Sequence, residues 1–275
     1  MTPDQYPAQE PFTAIGAKYH DEVLRRGRHI EAIEIAYGAD PYQKIAVVPS
    51  NNPNGDVVLA LHGGGWTNGY KEWMLFMAPA LGAHGVTFVS AGYRLAPQHV
   101  FPAGFDDILD GVAATHRTVA EFGGRPDRIF IAGHSAGGHL AALAAVRNDW
   151  QASRGLPQNV IRGALPISGS YDFGEQSGFS MRPRFLGKAG SGADHAASPI
   201  QYMRRDAPPF LIAWGENDFA HLRRQAEAFA TRLRDRGVDV ECLVLPGCDH
   251  LGASYDSGDP QGHWVPAAMR WMGAH

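Results

Sequence analysis

The chain has 275 residues, 44% hydrophobic and 19% charged, a globular composition that excludes a disordered protein. A formal net charge of −4 offers no footprint for nucleic acid or an anionic membrane, and no apolar run reaches transmembrane length. Two cysteines, Cys242 and Cys248, are too few for a disulfide framework and predict reduced thiols in a cytoplasmic protein.

In chain order, residues 1–29 read as an irregular leader with one short helical patch at 19–26. Met1 to Phe12 has neither the positive flank nor the apolar core of a secretory signal. Strands are predicted at 31–37, Lys44–Val48 and Val57–Leu61. The first two flank the turn Gly38-Ala-Asp-Pro41 and should pair antiparallel. The third is apolar at every position, as expected of a strand covered on both faces. A helix at 71–82, a strand at 86–90 and a helix at 105–122 follow. Phe105, Ile108, Leu109, Val112, His116 and Val119 share one face of the latter, and Asp106 and Asp107 lie in its first turn. Then come a strand at 129–132, an apolar helix from Gly138, and strands at 163–168 and 210–214. Leu222, Ala226, Phe229 and Leu233 mark a helix that Gly237 stops, before a strand at Val240–Leu245 and a last helix at 264–272. This alternation predicts an α/β fold: one domain over 1–275, a mainly parallel sheet, and helices on both faces. Only 171–209 breaks the rhythm. A non-regular run of that length points to a lid or a substrate-binding insertion.

The chemistry concentrates in three places. The strand at 129–132 runs directly into Gly133-His134-Ser135-Ala136-Gly137, and a helix follows at once. Strand, Gly-x-Ser-x-Gly, helix is the setting of a nucleophile elbow, in which glycines permit a sharp turn and the serine hydroxyl stands proud. A serine needs a base, and the base an orienting acid. Trp214-Gly-Glu-Asn-Asp218 and Gly247-Cys-Asp-His250 follow the two last strands, so Asp218 is assigned as acid and His250 as base, with Glu216 and Asp249 next in line. The amides of His62-Gly-Gly-Gly-Trp66, after the strand ending at Leu61, and of Ala136 are candidate oxyanion donors. Thirteen histidines are present without a metal-ligand spacing, so neither a metal nor another cofactor is expected.

These motifs resemble those of the α/β-hydrolases, specifically the hormone-sensitive-lipase-like esterases and, in the same neighbourhood, the arylformamidases (kynurenine formamidases). His62-Gly-Gly-Gly65, Tyr93-Arg-Leu-Ala-Pro97 and Phe101-Pro-Ala-Gly-Phe-Asp-Asp107 are similar to the former. Gly133-His-Ser-Ala-Gly-Gly-His-Leu140, Ser168-Gly-Ser-Tyr-Asp172, Trp214-Gly-Glu-Asn-Asp218, Leu222-Arg-Arg-Gln225 and Gly247-Cys-Asp-His250 are similar to the latter. The resemblance implies an α/β-hydrolase fold, a triad of Ser135, Asp218 and His250, and oxyanion amides on Gly64, Gly65 and Ala136. Arylformamidases often carry an aromatic where Gly65 stands, and a glycine there implies a roomier acyl side.

The expected reaction is acyl transfer to water from a small-molecule ester or aryl formamide, with a broad short-chain or aryl carboxylesterase as the alternative. A non-catalytic hydrolase-fold binding protein would keep the fold and lose the triad. Candidate substrate-lining residues are Trp66 and Tyr93 beside the glycine loop, and Tyr171, Phe173, Phe179, Met181 and Phe185 in the irregular interval. Arg182, Arg184, Arg204 and Arg205 are candidates to meet a substrate carboxylate. His139, four residues beyond Ser135, faces either the pocket rim or a neighbouring helix, and the structural role is favoured. Cys248 reads as a packing thiol. The Phe229 face and the C-terminal helix are candidate surfaces for a homodimer.

Overall fold

The computed structural model describes residues 5–275, so the first four positions of the expected leader lie outside the described residues. Eight strands among these residues form one sheet: β1 (Ile33–Ala36), β2 (Lys44–Val48), β3 (Val57–Leu61), β4 (Thr87–Ala91), β5 (Ile129–His134), β6 (Ile161–Ile167), β7 (Phe210–Gly215) and β8 (Val240–Leu245). Their order is β1-β2-β4-β3-β5-β6-β7-β8. β2 pairs antiparallel with β1 and β4, and every other neighbouring pair is parallel. All residues of β3, β4, β5 and β7 are buried, which requires cover on both faces of the sheet. β1, short and exposed, is one edge, and β8 is the other.

The helices are α1 (Ala14–Gly27), α2 (Ala78–Gly82), α3 (Ala103–Thr118), α4 (Ala136–Val146), α5 (Ala193–Ala197), α6 (Ala220–Asp235), α7 (His250–Asp256) and α8 (Trp264–Ala274). Three differ from the sequence expectation for local reasons. The single helix expected at 71–82 is a 3-10 segment, Lys71–Met77, followed by α2, because Pro79 has no N–H to carry an i−4 ladder through the junction. The expected helical patch at 19–26 is the end of a longer α1, capped by the Thr13 side chain, which accepts from Gly16 N. α7 was not anticipated, although Asp249 caps it by accepting from Gly252 N. Asp107, expected to serve the dipole of its helix, is instead buried and accepts the backbone N–H and the guanidinium of Arg94 at 2.7–2.8 Å. Of the candidate dimer surfaces, the Phe229 face turns inward and α8 keeps an exposed side at Pro266, Arg270 and Gly273. Phe229 is fully buried with its ring stacked on Tyr171, and Trp264, Val265, Trp271 and Met272 bury one side of α8.

The sheet is closest-packed where β3 and β5 end. Parallel pairing sets Leu61 against Gly133, and the first turn of α4 lies directly on that carbonyl end. A Cβ on Gly137 would stand 2.0 Å from Leu61 O, and one on Gly133 would stand 2.5 Å from the Gly137 backbone. Neither obstacle is a side chain that can rotate away. Gly137→Ala is therefore expected to destabilise the fold by on the order of 3 kcal/mol or more, read as a lower urea midpoint at unchanged slope.

Candidate active site

Ser135 sits between β5 and α4 at φ 55°, ψ −116°, a conformation a non-glycine residue holds only when its surroundings enforce it. Its N–H donates to Ile167 O on β6 at 2.9 Å, which ties the turn to the neighbouring strand. Asp218 follows β7, and His250 opens α7 after β8. These two loops interlock. A Cβ on Gly215 would stand 2.4 Å from Cys248 O, Asn217 N donates to Cys248 O at 2.8 Å, and the Glu216 carboxylate accepts from Gly247 N at 2.8 Å. Glu216 and Asp249, the alternative acids, are thus engaged as a loop tie and a helix cap.

The result is a continuous relay. His250 Nε2 lies 3.0 Å from Ser135 Oγ, and His250 Nδ1 lies 2.8 Å from Asp218 Oδ1. Burial alone would raise the Asp218 pKa. The hydrogen bond from His250 Nδ1 at 2.8 Å, and one from Phe219 N at 2.7 Å, outweigh it and hold the carboxyl below its ordinary value, as an anion. Beneath the relay His134 is buried, and its Nε2–H donates to His250 O at 2.8 Å. Burial, with the neighbouring His250 imidazole, lowers the His134 pKa to about 3 and keeps it neutral.

Across from the elbow, residues 62–69 form a tight loop. Gly64, Gly65 and Trp66 have φ of 106°, 61° and 62°, and Thr67 N and Asn68 N both donate to Gly64 O. Among the described residues no protein acceptor takes the N–H of Gly64 or Gly65. The loop is supported from below by Tyr93, whose hydroxyl donates to His62 O at 2.8 Å and whose ring stacks on the imidazole at 4.2 Å. The Arg94–Asp107 pair fixes the segment that carries Tyr93.

A family profile of the α/β-hydrolase fold matches residues 58–253. The chain belongs to the α/β-hydrolase fold family. It is 32% identical to Esterase LipC of Mycobacterium tuberculosis over 82% of its length, and spans 61% of the length of that relative. It is 26% identical to the kynurenine formamidase of Salmo salar over 90% of its length and 84% of the relative's. Among solved structures, the esterase of Pyrobaculum calidifontis superposes with a TM-score of 0.71 at 24% identity, over 94% of this chain and 91% of the other, a likeness of fold.

In this α/β-hydrolase a cavity of about 310 Å³ opens at Ser135 and His250. Gly64, Gly65 and Asn68 form one side of it, and Phe12, Ile15, Tyr19 and Trp73 the apolar wall. The leader, expected to be irregular, supplies Phe12, Ile15 and Tyr19 of that wall. The signal was present: Thr13 as a helix cap, then Ile15, Tyr19 and Val23 at helical spacing. The insertion at 171–209 does not line this cavity. Phe173, Phe179 and Met181 line a separate one of about 510 Å³.

The structure places the candidate lining residues as follows. Tyr93 is buried under the glycine loop, and Tyr171 is buried against Phe229. Trp66 is not among the residues lining the Ser135 cavity; it stacks on Phe185 at 4.1 Å, and its Nε1–H donates to His139 Nδ1 at 3.0 Å. His139, fully buried, donates in turn from Nε2 to Ala197 O at 2.7 Å, so its role is to join α4 to the insertion. Arg182 pairs with Asp194, Arg184 with Glu10 and Arg204 with Asp206, while Arg205 is exposed.

His62, His134 and His139 thus surround the site as buried, neutral rings, their pKa values lowered by burial to about 4, 3 and 4. The unfolded chain takes up protons on these residues below the ordinary value of 6.5, where the folded chain does not. Stability is therefore intact above pH 6.5 and falls as the pH drops toward the folded values, by up to about 4 kcal/mol per pH unit for three sites. Urea midpoints at about pH 7, 6 and 5 measure this slope, and His139→Gln should remove about a third of it.

Proposed function

We propose that this α/β-hydrolase cleaves small, neutral carboxylic esters through an acyl-enzyme, with Ser135 as nucleophile, His250 as base and Asp218 as orienting acid. The observation that carries the reading is the relay itself: acid, imidazole and hydroxyl at hydrogen-bonding distance beside two amides without protein acceptors. As Ser135 Oγ bonds to the ester carbonyl carbon, His250 Nε2 takes its proton, and the Asp218 anion stabilises the imidazolium. The carbonyl oxygen becomes an oxyanion received by the amides of Gly64, Gly65 and Ala136. Collapse breaks the bond to the leaving alkoxide, which His250 protonates. Water then attacks the acyl-enzyme with His250 again as base, releasing the carboxylic acid and restoring the Ser135 hydroxyl.

Two features favour an ester over an amino-acid-like formanilide, the second reading supported by the kynurenine formamidase relative. No Lys or Arg side chain lines the Ser135 cavity among the described residues, so an anionic substrate would lack a counter-charge. Beside Gly65 the space is open: a Cβ there would meet nothing nearer than Thr67 Oγ1 at 4.0 Å. At about 310 Å³ the cavity is at the small end for ligand pockets and suits a short acyl group. A cytoplasmic setting belongs to the same reading, supported by the unpaired thiols Cys242 and Cys248. Among the described residues no helix is long and apolar enough to cross a membrane.

A fluorophosphonate should label Ser135 stoichiometrically. Ser135→Ala should lower turnover of 4-nitrophenyl acetate by on the order of 10⁴ or more. Specificity constants should rank 4-nitrophenyl acetate and butyrate above both the dodecanoate and N-formylkynurenine. A Ser135→Ala enzyme that keeps most of its turnover overturns the mechanism, and a preference for N-formylkynurenine overturns the ester assignment.

A further inference from the structure

We propose that Gln9, in the segment preceding α1, is a positioning residue for the oxyanion loop, so that the segment at 6–13 is part of the active site. The inference rests on the reading of Gly64 and Gly65 as oxyanion donors and adds to it what holds them in place.

The Gln9 side chain grips a single loop residue from both sides. Its Nε2 donates to Gly69 O at 2.9 Å, and its Oε1 accepts from Gly69 N at 2.9 Å, as a neighbouring β-strand would. The second Nε2 proton goes to Tyr42 Oη at 2.8 Å, so both donors of the amide are engaged and its position is determined. The gripped residue is where the loop closes on itself. Gly69 has φ of +119°, and a Cβ there would stand 2.2 Å from His62 Nδ1 and 2.7 Å from Gly63 O. From Gly69 the contact passes directly to the donors. The Asn68 carbonyl oxygen lies 2.1 Å from where a Gly64 Cβ would be, and Asn68 N bonds back to Gly64 O at 3.0 Å. Any shift of Gly69 therefore moves Gly64.

Other contacts hold Gln9 against the loop. Asn68 Nδ2 donates to Glu10 O at 2.5 Å. Tyr6 on the far side bonds the Glu72 carboxylate at 3.0 Å and receives the buried Lys71 ammonium at 2.6 Å. Beyond Glu10 the same segment leads into Phe12 and Ile15 of the cavity wall. One stretch of chain thus shapes the substrate side and braces the amides opposite it.

Gln9→Met keeps length and volume and removes both bonds to Gly69. Activity is normalised to Ser135 titrated with the fluorophosphonate, so that only folded, competent sites are counted. The expected result is a fall of about tenfold in kcat for 4-nitrophenyl acetate with KM changed less than about twofold, because a displaced amide weakens the transition state and not the ground-state complex. Affinity for a trifluoromethyl ketone should fall in parallel with kcat. Hydrogen exchange over 62–70 should accelerate while that of β5 and α4 stays at the wild-type rate. Unchanged kcat per titrated site, a loss carried by KM, or unaltered exchange over 62–70 each overturns the proposal. A wild-type enzyme that neither titrates nor turns over ester defeats the esterase reading instead, and the exchange measurement then still decides whether Gln9 holds the loop.

Discussion

The architecture of the site depends on how closely two backbones can approach. The carbonyl end of β3 and the first turn of α4 meet at a separation that leaves no room for a methyl group, because Gly133 and Gly137 present none to Leu61 O. That contact sets the distance between the elbow and the loop that leaves β3. The strained backbone of Ser135 follows from the same closeness: parallel strands on either side and a helix starting immediately leave the chain no other path.

Around this contact the protein divides its imidazoles by solvation. Buried rings serve as neutral struts, each with a nitrogen committed to a carbonyl: His62 to Gly63 O, His134 to His250 O, His139 to Ala197 O. His250, by contrast, retains some solvent exposure and has an anionic carboxylate behind it. A ring kept neutral by burial is a dependable part of a scaffold, and it is the partly exposed ring that stands next to the serine hydroxyl. The cost is sensitivity to acid, since every strut favours the unfolded chain once protons are available.

Much of the site was legible in the sequence because its parts are local. The elbow is a five-residue pattern whose glycines and serine carry their own steric reason. The loops holding Asp218 and His250 each follow an apolar strand in the expected chain order. What could not be read locally was the lining of the cavity at Ser135. Trp66 and Tyr171 sit beside catalytic motifs, yet an aromatic ring goes where it can bury its faces, and partners distant in sequence, Phe185 and Phe229, supplied those surfaces. The insertion, conspicuous for its irregularity, packs over His139 and lines a cavity separate from the one at Ser135. The leader, with little periodicity before Thr13, supplies Phe12, Ile15 and Tyr19 of the wall instead.

By itself, then, the sequence indicated the α/β class, a mainly parallel sheet with an antiparallel start, and the strand–turn–helix setting of Ser135, because each depends on spacing and backbone conformation within a few residues, while Asp218 and His250 were singled out by their order along the chain and their places after strands. The tertiary structure alone decided what lines the cavity at Ser135, which histidines are struts, that Glu216 and Asp249 serve the loops, and that Gln9 meets Gly69. Those outcomes turn on contacts between segments tens of residues apart, where the competing burial of side chains leaves no local trace in the chain.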